Sequence, residues 1–125
     1  MTLKNSLYTI VKNEADGPGW RYDIALQPDH FIYQAHFPGQ PITPGACIIQ
    51  MAKEMLEEHL SLSLHIHHIK DVKFVSVISP LDTPRISFLY QKISEESDQG
   101  EVKATVSVQD GEKILSTLVF TCKTC

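Results

Sequence analysis

The 125-residue sequence has little that points to a membrane, to nucleic acid or to secretion. No apolar run approaches the roughly 20 residues that a transmembrane helix needs. The N-terminal residues lack the apolar stretch and small-residue cleavage site of a secretory signal. A formal net charge of only −4 argues against nucleic acid as a partner. Internal repeats and low-complexity segments are also lacking, so we expect one domain over residues 1–125, located in the cytoplasm.

Cysteine is scarce and odd in number, since the chain has three. Cys122 and Cys125 have the Cys-x-x-Cys spacing, but a redox or metal site would need more surrounding chain than follows them, so we interpret them as reduced thiols. His65 and His67 would project from one face of a strand, next to His68. No carboxylate or cysteine is spaced to complete a metal site with them. We therefore expect no metal and no cofactor.

What the sequence does contain is a clear change of apolar periodicity. From Gly45 to about Leu60 the apolar residues fall on one helical face, with Thr43 suited to the N-cap and Pro44 to the first helical position. Segments rich in Val, Ile, Thr and aromatic residues flank this helix and predict strands. The predicted strands are Leu7–Val11, Trp20–Leu26, Ile66–Ile78, Arg85–Ile93, Val102–Val108 and Ile114–Cys122. This order predicts an α+β fold in which an antiparallel sheet curls around a single helix.

The segment His36–Gly45, with the sequence HFPGQPITPG, joins the second predicted strand to the helix. Its three prolines are spaced three residues apart, and two glycines accompany them. Prolines at this density make a stiff, extended loop that runs into the helix N-terminus. The loop either stiffens the connection around a structural histidine or holds a catalytic geometry in place.

This segment resembles the HFPGxPxxPG signature of the hot-dog β-hydroxyacyl-[acyl-carrier-protein] dehydratases. The similarity covers nearly the whole chain, because Lys70–Phe74 and Pro80 also lie where the family has a strand and a proline segment. The resemblance implies the hot-dog fold, an antiparallel sheet wrapped around one central helix. It also implies a hydro-lyase that converts a β-hydroxyacyl thioester to a trans-2-enoyl thioester in fatty-acid or polyene-type lipid biosynthesis. The expected partners are acyl carrier protein or a coenzyme A thioester, and a second subunit in a homodimer.

The resemblance also assigns roles to residues of the loop. In the family the histidine of HFPG removes the α-proton of the thioester, which puts this role on His36. Imidazole titrates near neutral pH and therefore suits a proton acceptor. The backbone N–H of Gly45, at the helix N-terminus, would donate to the thioester oxygen as negative charge develops there. The residues expected to bind the substrate are Phe37, Pro38, Gly39, Pro44, Gly45 and Ala46.

The chain departs from the family at the second catalytic position. The family has Glu or Asp on the central helix fourteen residues after the histidine, where this chain has Gln50. An amide can hold a hydroxyl, but it has no proton to lose at neutral pH. Gln50 lies about 160° from the centre of the apolar face, so we expect it to face the loop or a partner subunit. Glu54, one turn further, is a candidate substitute acid or, alternatively, a solvated helix charge.

The glutamine at this position leaves two other functions open. The chain could bind an acyl thioester without catalysis, or form the acid-free half of a heterodimeric dehydratase, since the family shares each site between two subunits. It could also be a hot-dog thioesterase, although that chemistry commonly uses a carboxylate. A dimer is expected because a lone sheet leaves an uncovered edge strand. The basic residues that could meet an acidic carrier protein are Lys53, Lys70, Lys73, Arg85 and Lys92.

Overall fold

The structure is a computed structural model that describes residues 2–36, 39–96 and 100–125, with only the backbone described at His36 and Glu96. Its elements are β1 (Tyr8–Asp16), β2 (Gly19–Leu26), α1 (Ile32–His36), α2 (Gly45–Leu60), β3 (Leu64–Phe74), β4 (Arg85–Glu96), β5 (Glu101–Asp110) and β6 (Lys113–Thr124). All six predicted strands and the predicted long helix are present. Strand β1 extends to Asp16, beyond the predicted end at Val11, and β3 ends at Phe74, before the predicted end at Ile78. Helix α1 was not predicted, because five residues are too few to show a helical period.

The six strands form one antiparallel sheet in the order β1-β2-β4-β5-β6-β3. Consecutive strands pair in the sheet except at β3, which lies beside neither β2 nor β4. Strand β3 comes after α2 and pairs with β6 at the far edge of the sheet. Since α2 is the one long helix of the described residues, this arrangement confirms the predicted α+β class.

The face of the sheet that packs on α2 shows the alternation expected of a half-buried sheet. Ile86, Phe88 and Tyr90 of β4 are buried, and the residues between them are more exposed. The Tyr90 hydroxyl donates to the carbonyl oxygen of Ala52 at 2.5 Å, so the helix satisfies this buried polar group. The edge strand β3 differs, because most of its residues are exposed, Phe74 among them.

Helix α2 has the predicted bounds, but its buried face extends beyond the apolar face predicted from Ile48, Ile49, Ala52, Met55 and Leu56. Met51 is fully buried, whereas Ile49 is only half-buried. The buried residues of the helix are Cys47, Ile48, Met51, Ala52, Glu54, Met55 and Leu56. Ser61 follows in the left-handed conformation and its N–H donates to two carbonyl oxygens of the last turn, which ends the helix. Across the described residues, no helix is long and apolar enough to cross a membrane.

The predicted N-cap of α2 is wrong by one residue. Pro44, and not Thr43, occupies the N-cap position, and Gly45 is the first helical residue. The Thr43 hydroxyl lies 3.0 Å from the hydroxyl of Tyr33, and the Thr43 N–H donates to the carbonyl oxygen of Ile78 at 2.8 Å. Both groups of Thr43 are therefore used by distant parts of the chain, which the sequence pattern could not show.

Candidate active site

The histidine that the resemblance makes the catalytic base lies at the end of α1. His36 is the last residue of that helix. Its side chain, and the whole of Phe37 and Pro38, lie outside the described residues. The structure resumes at Gly39, whose φ of 85° falls in the left-handed region that glycine tolerates best. The assigned roles of His36, Phe37 and Pro38 therefore stay predictions.

Helix α1 is held by two contacts that the sequence pattern did not reveal. The Nδ1 atom of His30 accepts from the N–H of Ile32 at 3.1 Å, at the start of the helix. The Tyr33 hydroxyl, which is buried, bonds to the hydroxyl of Thr43. Burial raises the pKa of Tyr33, and the contact with Thr43 opposes part of that rise. The helix that ends at the histidine is thus joined to Thr43, which precedes the N-cap residue of α2.

The N-terminus of α2 has no capping side chain of its own. Pro44 has no side-chain acceptor, and its carbonyl oxygen accepts from the N–H groups of Cys47 and Ile48 at 3.0 and 3.2 Å. The first turn has no acidic residue, and Ala46 is exposed. The first N–H groups of a helix have no acceptor within the helix and carry partial positive charge. Their position fits a site for an oxygen that gains negative charge.

The ring of Phe74 lies directly against Gly45. A Cβ atom added to Gly45 would lie 2.6 Å from Cζ of Phe74, closer than real contacts come. The Phe74 side chain is 49% exposed, so the ring can shift without disturbing the core. Glycine at this position lets the aromatic ring approach the first turn of α2. The sequence motif identified the glycine, but only the fold showed the ring beside it.

Two open apolar grooves flank this helix terminus. The first has a volume of about 290 Å³ and is lined by Ile42, Thr43, Pro44, Gly45, Ile48, Phe74, Val75, Ser76, Val77 and Ile78. The second, of about 390 Å³, is lined by Gly39, Gln40, Pro41, Ile42, Val77, Ser79, Leu81 and Asp82. Val75, Val77 and Leu81 are 59, 64 and 68% exposed, which is unusual for such side chains. The start of α2 therefore opens onto an apolar surface.

Gln50 and Glu54 lie one turn apart on α2 and contact each other. Nε2 of Gln50 donates to Oε2 of Glu54 at 2.8 Å. The same carboxylate accepts from the backbone N–H groups of Leu3 and Lys4, both at 2.8 Å, and from the Tyr8 hydroxyl at 3.1 Å. Glu54 is only 8% exposed, so its interpretation as a solvated helix charge is wrong. Its role as a substitute acid stays a prediction, and four donors on one carboxylate weigh against it.

The basic residues expected to meet a carrier protein are spread over three elements. Lys53 turns toward its own neighbours, with Nζ 3.4 Å from Oε1 of Glu57 and 3.4 Å from the carbonyl oxygen of Leu64. The others are exposed on two strands, Lys70 and Lys73 on β3 and Arg85 and Lys92 on β4. These positions do not define a single docking surface.

The remaining histidines and cysteines do not build a site. A bulge at His67 interrupts the alternation of β3, so the regular spacing expected for His65 and His67 is broken. Sγ of Cys125 lies 3.9 Å from Nδ1 of His65 at the surface. Cys122 is buried, and burial raises its pKa to about 11. In residues 2–36, 39–96 and 100–125, no three His, Cys, Asp or Glu side chains are grouped as metal ligands.

Sequence comparison identifies the family. The sequence model of the ApeI-like family, described as ApeI dehydratase, matches residues 12–116. The chain belongs to this family. The 3-hydroxyacyl-[acyl-carrier-protein] dehydratase FabZ of Levilactobacillus brevis is 35% identical to it over 90 residues, covering 66% of the chain and 58% of the relative. The FabZ of Latilactobacillus sakei is 32% identical over 89 residues, covering 66% and 61%. The chain thus spans about three fifths of the length of these curated relatives.

Solved structures confirm the hot-dog fold. The dehydratase heterocomplex ApeI:P from Xenorhabdus doucetiae superposes with a TM-score of 0.65 and 18% identity, over 92% of this chain and 96% of that one. The C46A variant of the HP0420 homologue from Helicobacter felis superposes with a TM-score of 0.66 and 14% identity, over 100% and 93%. At these identities the similarity concerns the fold alone. The match to the ApeI-like family model confirms the dehydratase family that the loop motif indicated, and these structures confirm its fold.

Proposed function

We propose that this protein is a hydro-lyase that interconverts a β-hydroxyacyl thioester and a trans-2-enoyl thioester. The observation that carries the proposal is the ApeI dehydratase model, which matches 105 residues of the chain from position 12 to position 116. The relatives named 3-hydroxyacyl-[acyl-carrier-protein] dehydratases support the same reaction class. Fatty-acid or polyene-type lipid biosynthesis is the setting that we propose for it.

In the proposed reaction His36 accepts the α-proton of the substrate. The electron pair of that C–H bond forms the Cα–Cβ double bond as the Cβ–O bond breaks, and the hydroxyl leaves as water after gaining a proton. The N–H of Gly45 donates to the thioester oxygen while negative charge develops on it. Gln50, at the position of the family's acid, hydrogen-bonds the β-hydroxyl. The proton on the leaving water comes from His36 or from an acid of a second subunit.

The apolar grooves beside the start of α2 support an acyl thioester as the substrate. A thioester carbonyl near Gly45 would have apolar surface within reach on both sides, along Ile42 and Phe74 and along Val77 and Leu81. We propose acyl carrier protein or coenzyme A as the carrier of the thioester. The exposed lysines and arginine of β3 and β4 are the candidates for contact with an acidic carrier.

The test is hydration of an enoyl thioester by the parent and by His36→Ala. A general base contributes on the order of 10² or more, so we expect the variant to lose at least that factor while it stays folded. His67→Ala is the matched control, because His67 is exposed on the bulge of β3. A folded His36→Ala variant that keeps most of the activity would contradict the mechanism.

A second candidate is the acid-free half of a heterodimeric dehydratase. Two observations favour it: Gln50 stands at the family's acid position, and a structure named as a dehydratase heterocomplex shares the fold. A thioesterase has less support, because the carboxylate of Glu54 on α2 is already engaged by four donors. Turnover by the chain alone would favour a homodimeric enzyme, and turnover only with an acid-bearing homologue would favour the heterodimer.

In either case we propose a dimer. The exposed edge strand β3 and the apolar surface at Phe74, Val75 and Val77 would be covered by a second subunit. The chain alone, or its complex with a homologue, should sediment as a dimer at micromolar concentration. A chain that stays monomeric with every homologue tested, and turns over as a monomer, would contradict this proposal.

A further inference from the structure

Glu54 is an unusual group for the middle of a helix that packs on a sheet. The residue is only 8% exposed, and each oxygen of its carboxylate accepts two hydrogen bonds. Oε1 accepts from the Lys4 N–H and the Tyr8 hydroxyl, and Oε2 accepts from the Leu3 N–H and from Nε2 of Gln50. A buried carboxylate is stable only when donors replace the water that it has lost. Three of the four donors come from the N-terminal segment, residues 3–8.

The fourth donor has a consequence for Gln50. A carboxylate accepts hydrogen bonds, so the amide can only turn its NH2 end toward Glu54. The opposite orientation would place the carbonyl oxygen of Gln50 against a carboxylate oxygen, which is repulsive. The amide of Gln50 is therefore held in one of its two orientations, with its carbonyl oxygen turned away from Glu54. That oxygen has two lone pairs, so it can accept from a substrate hydroxyl even when another donor is present.

We propose that Glu54 is a positioning residue of this site, which orients the amide of Gln50 so that its carbonyl oxygen accepts a hydrogen bond from the substrate's β-hydroxyl. The inference rests on the proposed function, since it concerns the hydroxyl of that substrate. It also links the site to the N-terminal segment, because the same carboxylate binds the backbone of Leu3 and Lys4. Glu54 acts through Gln50 and does not itself exchange a proton with the substrate.

The first arm of the test needs no turnover. The side-chain NH2 signals of Gln50 are assigned in an ¹⁵N–¹H spectrum by their loss in Gln50→Ala. We expect the chemical shifts of these signals to change in Glu54→Gln, which removes the carboxylate, and in Glu54→Asp, which shortens the side chain that carries it. The matched controls are Glu58→Gln, which removes the exposed partner of Lys4, and Tyr8→Phe, which removes a donor to Oε1 only. Gln50 signals that stay in place in both folded Glu54 variants would overturn the proposal.

The second arm measures enoyl-thioester hydration as a double-mutant cycle. We expect Glu54→Gln to lower kcat about tenfold in the parent and less than about twofold in a Gln50→Ala background. Tyr8→Phe and Glu58→Gln should leave kcat within about twofold of the parent, which separates orientation from loss of stability. An equal loss in both backgrounds would overturn the proposal, because Glu54 would then act independently of Gln50.

The two arms separate the inference from the function on which it rests. One outcome is that the parent fails to hydrate enoyl thioesters both alone and together with an acid-bearing homologue. That result would contradict the proposed function, and it would also contradict the substrate hydroxyl as the ligand of Gln50. Turnover by the parent together with unmoved Gln50 signals would contradict the positioning role alone.

Discussion

The first and third turns of α2 differ in how fully the protein's own side chains and backbone satisfy their polar groups. At the first turn, Pro44 offers no side-chain cap, Ala46 is exposed, and apolar grooves lie beside Gly45. At the third turn, Glu54 is buried and meets four donors. The N–H groups of the first turn are therefore suited to bind a ligand, whereas the carboxylate of Glu54 has its hydrogen bonds supplied by the protein itself.

The first turn of α2 therefore has the properties of a binding site, whereas Glu54 and its four donors form a structural contact, called the anchor below. A terminus with partial positive charge, open to apolar surface, suits a ligand that carries a polarised oxygen on an apolar chain. A carboxylate enclosed by backbone donors suits a fixed contact between two parts of the fold. Gln50 lies between the two turns and donates to Glu54, so the fixed position of Glu54 can orient the Gln50 amide at the site.

The anchor should dominate stability. Glu54→Leu removes the acceptor of four donors, and we expect the free energy of unfolding to fall by about 3 kcal/mol. Glu58→Gln should change it by no more than about 0.5 kcal/mol, because that carboxylate is exposed. Urea unfolding followed by circular dichroism measures both. Similar losses in the two variants would show that the buried contacts of Glu54 contribute little.

Exchanging the two side chains should restore an acid at the family's position. Gln50→Glu alone would put two carboxyls in contact, which raises the pKa of the new one and leaves its proton shared with Glu54. In Gln50→Glu/Glu54→Gln the contact again joins an amide to a carboxylate. We expect this double variant to hydrate an enoyl thioester about tenfold faster than the parent. The gain should disappear when His36→Ala is added, and a double variant no faster than the parent would contradict the prediction.

A charge at the open turn should favour the helix and disfavour catalysis. Ala46→Asp places a carboxylate at an exposed first-turn position, which should stabilise the fold by about 0.5 kcal/mol. The same charge repels the negative charge that develops on the thioester oxygen, so we expect kcat to fall about fivefold. Thermal unfolding and steady-state hydration measure the two effects. Ala46→Asn, similar in shape but uncharged, should lower kcat less, and an equal loss in both variants would exclude the electrostatic explanation.

Two buried tyrosines should make different contributions to stability at alkaline pH: Tyr8, which contacts Glu54, and Tyr33, which contacts Thr43 near the first turn of α2. Burial, reinforced by Glu54, raises the pKa of Tyr8, whereas Thr43 opposes the rise caused by burial at Tyr33. A tyrosine with a raised pKa contributes stability below about pH 10 that is lost as the pH rises further. Between pH 8 and pH 11, Tyr8→Phe should reduce this loss by up to about 1.4 kcal/mol, and Tyr33→Phe should reduce it by a smaller amount. Urea unfolding at both pH values measures this, and a larger effect at Tyr33 would reverse the comparison.

The sequence predicted the elements where periodicity is strong. The helix from Gly45 to Leu60 and all six strands follow from apolar spacing, because one face of each element must be buried. The segment HFPGQPITPG located the loop and the family, since its three prolines and two glycines make a stiff loop of defined geometry. The interpretation of Glu54 as a solvated charge was wrong, because its spacing on the helix shows nothing of what packs against it.

The sequence by itself determined the fold class, the helix that carries the candidate site and the family to which the chain belongs. These depend on local spacing, which a linear pattern records. The tertiary structure alone decided that Pro44 caps α2, that Phe74 lies on Gly45 and that Glu54 binds residues 3–8. The contacts of Phe74 and Glu54 join parts of the chain about 30 to 50 positions apart, and the position of Pro44 follows from the contact of its neighbour Thr43 with Ile78. No local sequence pattern encodes which distant donor or ring fills a given space.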